Sequence, residues 1–203
     1  MSRVLPAAAT DEAAQALRAG LVVGIPTDTV YGLAVDPSQP GATGRLFESK
    51  SRPASVALPV LVSGVDQALS LAVAGPSAQG LMARWWPGAL TVVLVRRPGI
   101  DLVLGGDEGT IGLRCPAHPV PLALAGVVGP LATTSANRHG GSPLETAQAV
   151  SAEIGPAVVL DGGTCRGAPS TVVDCTGPVP RLLRQGRIPW AEVLAEGATQ
   201  WQS

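Results

Sequence analysis

The run GIPTDTVYGL, residues 24–33, decides how this chain is read. An apolar stretch, LVVGI at 21–25, has the length and composition of a buried strand, yet it ends at Pro26-Thr27-Asp28-Thr29. Proline cannot donate to a sheet ladder, so the strand stops there. Beyond the proline stands a carboxylate between two hydroxyls. In open α/β sheets ligands settle at the carboxyl ends of strands, which makes this loop a candidate wall of a polar site. An Asp-centred turn explains the same residues with no ligand at all, so the rest of the chain must decide.

Working outward, Thr10 is expected to cap a first helix, with Asp11 and Glu12 in its first turn and Gly20 at its end. Further helices are expected at 42–49, 65–73, 77–85, 119–126, 146–154 and 189–195. Strands are expected at 58–62, 90–96, 110–114, 130–133, 157–160, 170–175 and 181–184. Strands alternating with helices predict an α/β (α+β) fold, one twisted sheet with flanking helices. No repeat and no long polar linker divides the chain, so residues 1–203 are expected to form a single domain.

Composition narrows the function. Apolar residues make up 46% and charged residues 14%, the balance of a globular chain rather than a disordered one. A net charge of −1 excludes a strong field for nucleic acid or an anionic membrane. The apolar runs fall short of the roughly 18–20 residues of a membrane span, and Asp11 and Glu12 interrupt the N-terminus too early for a signal peptide. The three cysteines lack C-x-x-C spacing, so neither a disulfide framework nor a zinc site is expected. A cytoplasmic protein with reduced thiols and no membrane partner is the expectation.

The common nucleotide signatures, G-x-x-x-x-G-K-[ST] and G-x-G-x-x-G, are absent, as are H-E-x-x-H and G-x-S-x-G. Three loops besides 27–29 carry polar groups at strand ends. In KSRP (50–53), Pro53 disfavours helix at Arg52, so an extended stretch is expected, with Lys50 and Arg52 aimed the same way as a polyphosphate requires. Lys50 is the chain's only lysine. In TTSANRHGGSP (133–143), Thr133, Ser135 and Asn137 alternate and offer hydroxyls and an amide to phosphate, ribose or carboxylate. The pair GGTCRGAPSTVVD and RLLRQGR places Ser170 at a strand start, with Arg181 and Arg184 on opposite sides of a strand. Arg114 closes strand 110–114. Together these residues predict a cleft for an anionic ligand such as a nucleotide.

The ordered set PTDTVYGL, KSRP, WWPGALTVVL, IGLRCPAHP, TTSAN, STVVD and LLRQG resembles the YrdC family of L-threonylcarbamoyladenylate synthases over about residues 10–190, in its short form without an added C-terminal domain. That resemblance implies a YrdC-like fold, a twisted mixed sheet with a concave ligand-binding face. It implies joining of L-threonine, bicarbonate and ATP into threonylcarbamoyl-AMP with release of pyrophosphate, and Mg²⁺ accompanying ATP. Partner proteins would pass the threonylcarbamoyl group to adenosine 37 of tRNA. By the same resemblance Thr27, Arg114 and Ser170 hold threonine. Lys50, Arg52, Ser135 and Asn137 surround the phosphates, with Lys50 and Arg52 carrying the catalytic charge. Thr110, Thr133, Ser142 and Arg184 complete the ATP site. Departures from the family pattern are Ala57 where proline is frequent, Ala34 where glycine is commoner, and Leu61 near the position of a histidine in longer relatives.

Competing readings are a YrdC-like carbamoyl-adenylate enzyme with another acceptor, and a double-stranded RNA or tRNA binding module. Retention of both K-x-R and S-x-N argues against the first, and the near-neutral charge against the second. Trp85 and Trp86 are expected to pack a helix end, Cys115 to fill core, and His118 and His139 to be loop residues.

Overall fold

A strand that is apolar at every position needs cover on both faces, and the runs at 32–35 and 158–160 find it. The computed structural model describes residues 2–50, 55–138 and 141–197. Its strands are β1 (Arg3–Pro6), β2 (Val23–Ile25), β3 (Gly32–Val35), β4 (Val60–Leu61), β5 (Ala72–Val73), β6 (Leu90–Arg96), β7 (Thr110–Arg114), β8 (Leu131–Ser135), β9 (Val158–Asp161), β10 (Thr171–Asp174) and β11 (Arg181–Arg184). Its helices are α1 (Thr10–Arg18), α2 (Ala42–Lys50), α3 (Val65–Leu71), α4 (Pro76–Trp85), α5 (Pro119–Val127), α6 (Ala147–Glu153) and α7 (Trp190–Gly197).

All strands join one mixed sheet in the order β1-β9-β2-β3-β8-β4-β7-β6-β10-β11, with β5 paired to β6. The pairs β1–β9, β9–β2, β4–β7 and β6–β10 are parallel, and the rest antiparallel. Period-two alternation divides the core between the faces. Leu33, Val35 and Val159 join a large cluster with α2, α3, α4, α6 and α7. Ala34, Val23, Ile25, Val158 and Leu160 join a smaller one with α1 and α5. The expected twisted, helix-flanked mixed sheet is what the chain forms. Among the described residues no helix is long and apolar enough to cross a membrane.

Local departures have local causes. Helix α1 begins at Thr10, but its cap position is Ala9 and makes no side-chain hydrogen bond, so Thr10 is not the cap. The helix ends at Arg18 with Ala19 as its C-cap, and Gly20 just beyond, with a φ of 71° that favours glycine, turns the chain away. Lys50 is the last residue of α2 rather than part of an extended stretch. Strands β1, β3 and β5 lie outside the expected set. β3 exists because the PTDT loop returns the chain antiparallel onto β2, pairing Ile25 with Gly32.

Candidate active site

The alternation that builds the core also exposes one side of five neighbouring segments on a common face. Thr110, Gly112 and Arg114 of β7 share it with Thr91 and Val93 of β6, and with Thr133 and Ser135 of β8. Pro59 and Leu61 at β4 and Ser170 and Val172 at β10 continue it. Helices α1 and α5 pack near β2 and β9, leaving this part open. Two adjoining cavities form there, of about 160 and 290 Å³, with Pro59, Thr91, Ser170 and Arg184 in the wall of both.

The smaller cavity brings together Thr27, Arg114, Thr133, Ser135, Ser170 and Arg184 from positions far apart in sequence. Its floor is the PTDT loop. Thr27 Oγ1 accepts from the backbone N–H of Thr29 and Val30 at 3.1 and 3.2 Å and donates to the carbonyl of Val30 at 2.6 Å. The turn is therefore centred on Thr27, not on Asp28. With that hydroxyl engaged, Thr27 has its methyl group and backbone left to present to a ligand.

Arg114, 7% exposed, is held from three directions. Its Nε donates to the Gly88 carbonyl at 2.9 Å, Nη1 to Thr29 Oγ1 at 3.0 Å, and Nη2 to Asp28 Oδ1 at 2.6 Å. Burial lowers the guanidinium pKa, and the Asp28 charge works against that shift. Opposite, Ser170 Oγ lies 2.8 Å from Thr91 Oγ1, and Arg184 Nη2 donates to the Ser170 carbonyl at 2.9 Å. Arg181 points elsewhere, into an exposed ion pair with Asp174. Of the two arginines on β11, Arg184 lines the cavity.

Lys50 is buried, and its ammonium docks on the end of β8. Nζ donates to Thr134 Oγ1 at 3.1 Å, to the Ser135 carbonyl at 2.5 Å and to Asn137 Oδ1 at 3.1 Å. Asn137 Oδ1 also accepts from Ser135 Oγ, while its amide nitrogen donates to the carbonyls of Arg138 and Gly141. Lys50, Ser135 and Asn137 thus form one contact group at the cavity's edge. Arg52 and His139 lie outside the described residues. Thr110 lines the larger cavity, with its hydroxyl 3.4 Å from Asp107 Oδ2. Ser142 is exposed between β8 and α6 and lines neither cavity.

Several wall residues escaped sequence reasoning. Thr91 is a single hydroxyl inside LTVVLVR, and only the register of β6 shows that it faces the site. Thr134 and Pro59 were missed as well; Thr134 neighbours named candidates, and Pro59 accepts from the Thr133 N–H at 2.9 Å, whereas Thr29 was already part of the loop singled out in sequence. Trp86 and Cys115 pack as core, and Trp85 closes α4. His118 caps α5, its Nδ1 accepting from Val120 N–H at 3.2 Å. Burial pushes the thiols of Cys115, Cys165 and Cys175 up, the last to about 12, so none is a ready nucleophile. Among the described residues no group of three His, Cys, Asp or Glu side chains is placed to hold a metal ion.

A family model for Sua5, YciO and YrdC proteins, described as "Telomere recombination", matches residues 15–186. A Mycobacterium tuberculosis protein provisionally named threonylcarbamoyl-AMP synthase is 40% identical over 190 residues, covering 90% of this chain and 88% of its own. A Klebsiella pneumoniae threonylcarbamoyl-AMP synthase is 33% identical, covering 92% of this chain and all of its own. The structure of Pyrococcus abyssi Sua5 complexed with L-threonine superposes with a TM-score of 0.89 at 34% identity, over 97% of this chain and 60% of that one. The chain belongs to the Sua5/YciO/YrdC family.

Proposed function

We propose that this member of the family is an L-threonylcarbamoyladenylate synthase, which makes threonylcarbamoyl-AMP from L-threonine, bicarbonate and ATP. The observation that carries the reading is the smaller cavity, whose volume suits a small amino acid and whose buried cation, Arg114, suits its carboxylate. Ser170 and Thr91 supply hydroxyls opposite. Thr27, Leu61 and Pro59 supply carbon surface for the threonine methyl group.

The chemistry sets the rest. The threonine amine takes up the carboxyl carbon of bicarbonate with loss of water, giving a carbamate. A carbamate oxygen then attacks the α-phosphorus of ATP, the bond to the β-phosphate oxygen breaks, and pyrophosphate leaves. Both partners are anions, so cations must screen their approach and the departing charge. Lys50, on the edge of the cavity, and Arg52 take that role. Ser135, Asn137, Thr133, Ser142 and Arg184 contact the nucleotide. The larger cavity next door, lined by Thr110, Val172 and Leu183, receives the base and ribose. Mg²⁺ arrives with the triphosphate as part of the substrate, whose phosphate oxygens suit a hard cation. The product passes, in the cytoplasm, to proteins that transfer the threonylcarbamoyl group to tRNA.

The test is pyrophosphate release with Mg-ATP, omitting threonine or bicarbonate in turn, with a mass-spectrometric search for threonylcarbamoyl-AMP. Release that needs both co-substrates is expected. Turnover indifferent to threonine overturns the reading.

A further inference from the structure

We infer that Asp28 is the positioning residue of the amino-acid pocket, fixing the Arg114 guanidinium from behind so that its remaining N–H groups face the ligand. This rests on reading the smaller cavity as the threonine site. A guanidinium carries five N–H donors in a rigid plane. In Arg114 three are bound by Gly88, Thr29 and Asp28, which fixes both the plane and its rotation. One N–H on each terminal nitrogen is left over, the pair that a carboxylate takes in bidentate fashion. Arg114 lines the cavity, whereas Asp28 is not among its lining residues. The side chain of Asp28 is thus placed to act on a ligand through Arg114.

Two further observations give Asp28 this office. Its own main-chain carbonyl accepts from Arg187 Nη1 at 2.6 Å, so the segment after β11 clamps the loop from the other side. Neighbouring Thr29 relays the same anchor. Thr27 spends its only hydroxyl proton on the Val30 carbonyl, so the 3.0 Å contact between the two threonines has Thr29 as donor. The hydrogen bonds then run one way, from Arg114 to Thr29, to Thr27, to the Val30 carbonyl. Loosening Arg114 unties the pocket floor.

Charge and position make opposite demands, which makes the idea testable. On charge alone, removing the Asp28 carboxylate leaves Arg114 more attractive to an incoming carboxylate, and threonine binds tighter. If position dominates, threonine binds worse. We expect Asp28→Ala to weaken threonine binding 10- to 100-fold by calorimetric titration and to raise the threonine KM alike, with the ATP KM within about twofold. Asp28→Asn, which keeps an acceptor for Nη2, should recover part of the loss. In the Arg114→Gln background, Asp28→Asn should cost nothing further. Unchanged or tighter threonine binding in the Asp28 variants, or losses that add to that of Arg114→Gln, overturns the inference; Asp28→Asn and the double variant suffice if Asp28→Ala does not fold. Wild-type protein that binds no threonine overturns the amino-acid reading itself, a result distinct from either.

Discussion

Lys50 is the residue on which phosphate chemistry turns under this reading. Its burial against Thr134, Ser135 and Asn137 costs desolvation that no surface lysine incurs. Lys50→Ala is expected to lower pyrophosphate release by about 10²–10³-fold, while the fold, followed by circular dichroism, persists; activity within about threefold of wild type would remove Lys50 from the phosphate site. Ser170→Ala deletes one hydroxyl, and a neutral hydrogen bond is worth about 1 kcal/mol. It should raise the threonine KM roughly fivefold, read from initial rates with ATP saturating. At this scale the sequence was most legible where residues are chemically conspicuous. Lys50, Arg114 and the TTSAN run announce themselves by rarity or alternation. Thr91 does not, because its partners on the open face of β6 are Val93 and Val95, which look like core until the register shows them half-exposed and exposed. Thr27 was misleading in another way: a hydroxyl at a strand end looks free in sequence, yet the turn consumes it.

At the level of elements, the site depends on backbone approaches that leave no room for a side chain. A Cβ on Gly186 would strike the carbonyl of Pro169 and the backbone of Ser170. Gly186→Ala is therefore expected to push the segment after β11 away from Ser170, destabilising the protein by about 1–3 kcal/mol and raising the threonine KM. A urea titration alongside initial rates checks both effects. Helix α5 offers a pH test. His118 Nδ1 must be unprotonated to accept from Val120 N–H, and burial holds its pKa below the ordinary value, with Asp28 partly offsetting. The unfolded chain then takes up a proton that the folded chain refuses. Stability is fully present above about pH 6.5 and is lost as pH falls through the lower folded value. His118→Asn keeps a capping acceptor and removes the titration, so its urea midpoint should fall less than wild type between about pH 7.5 and 5; parallel profiles would dismiss the linkage. Element types were legible because apolar runs and breakers punctuate the chain. Boundaries and the short strands β1, β3 and β5 were not, since two to four residues carry too little period to be seen.

For the molecule as a whole, the two cavities draw their walls from both halves of the sheet, so ligand binding should stabilise the entire fold rather than one lobe. At a hundred times its dissociation constant a ligand adds about 2.7 kcal/mol, which for a chain of this size corresponds to about 5–10 °C in Tm. Threonine alone at that concentration is expected to shift a single thermal transition by that amount; a transition that splits in two would mean the halves unfold separately. The fold class followed from alternation of strands and helices, but the strand order did not. Which face stays open is settled by where α1 and α5 lie, and no short window of sequence encodes that.

One consequence concerns synthesis. The smaller cavity takes residues near 27, 59, 91, 114, 133, 170 and 184, and its last wall sits on β11, the final strand of the sheet in chain order. A chain emerging from the ribosome has no binding site until β11 has been made, however much of the sheet has already formed. Substrates cannot shelter the nascent protein, and the long-range pairings of β1 with β9 and β2 with β9 must form unaided. Protection by ligand begins only when β10 and β11 close the cavity.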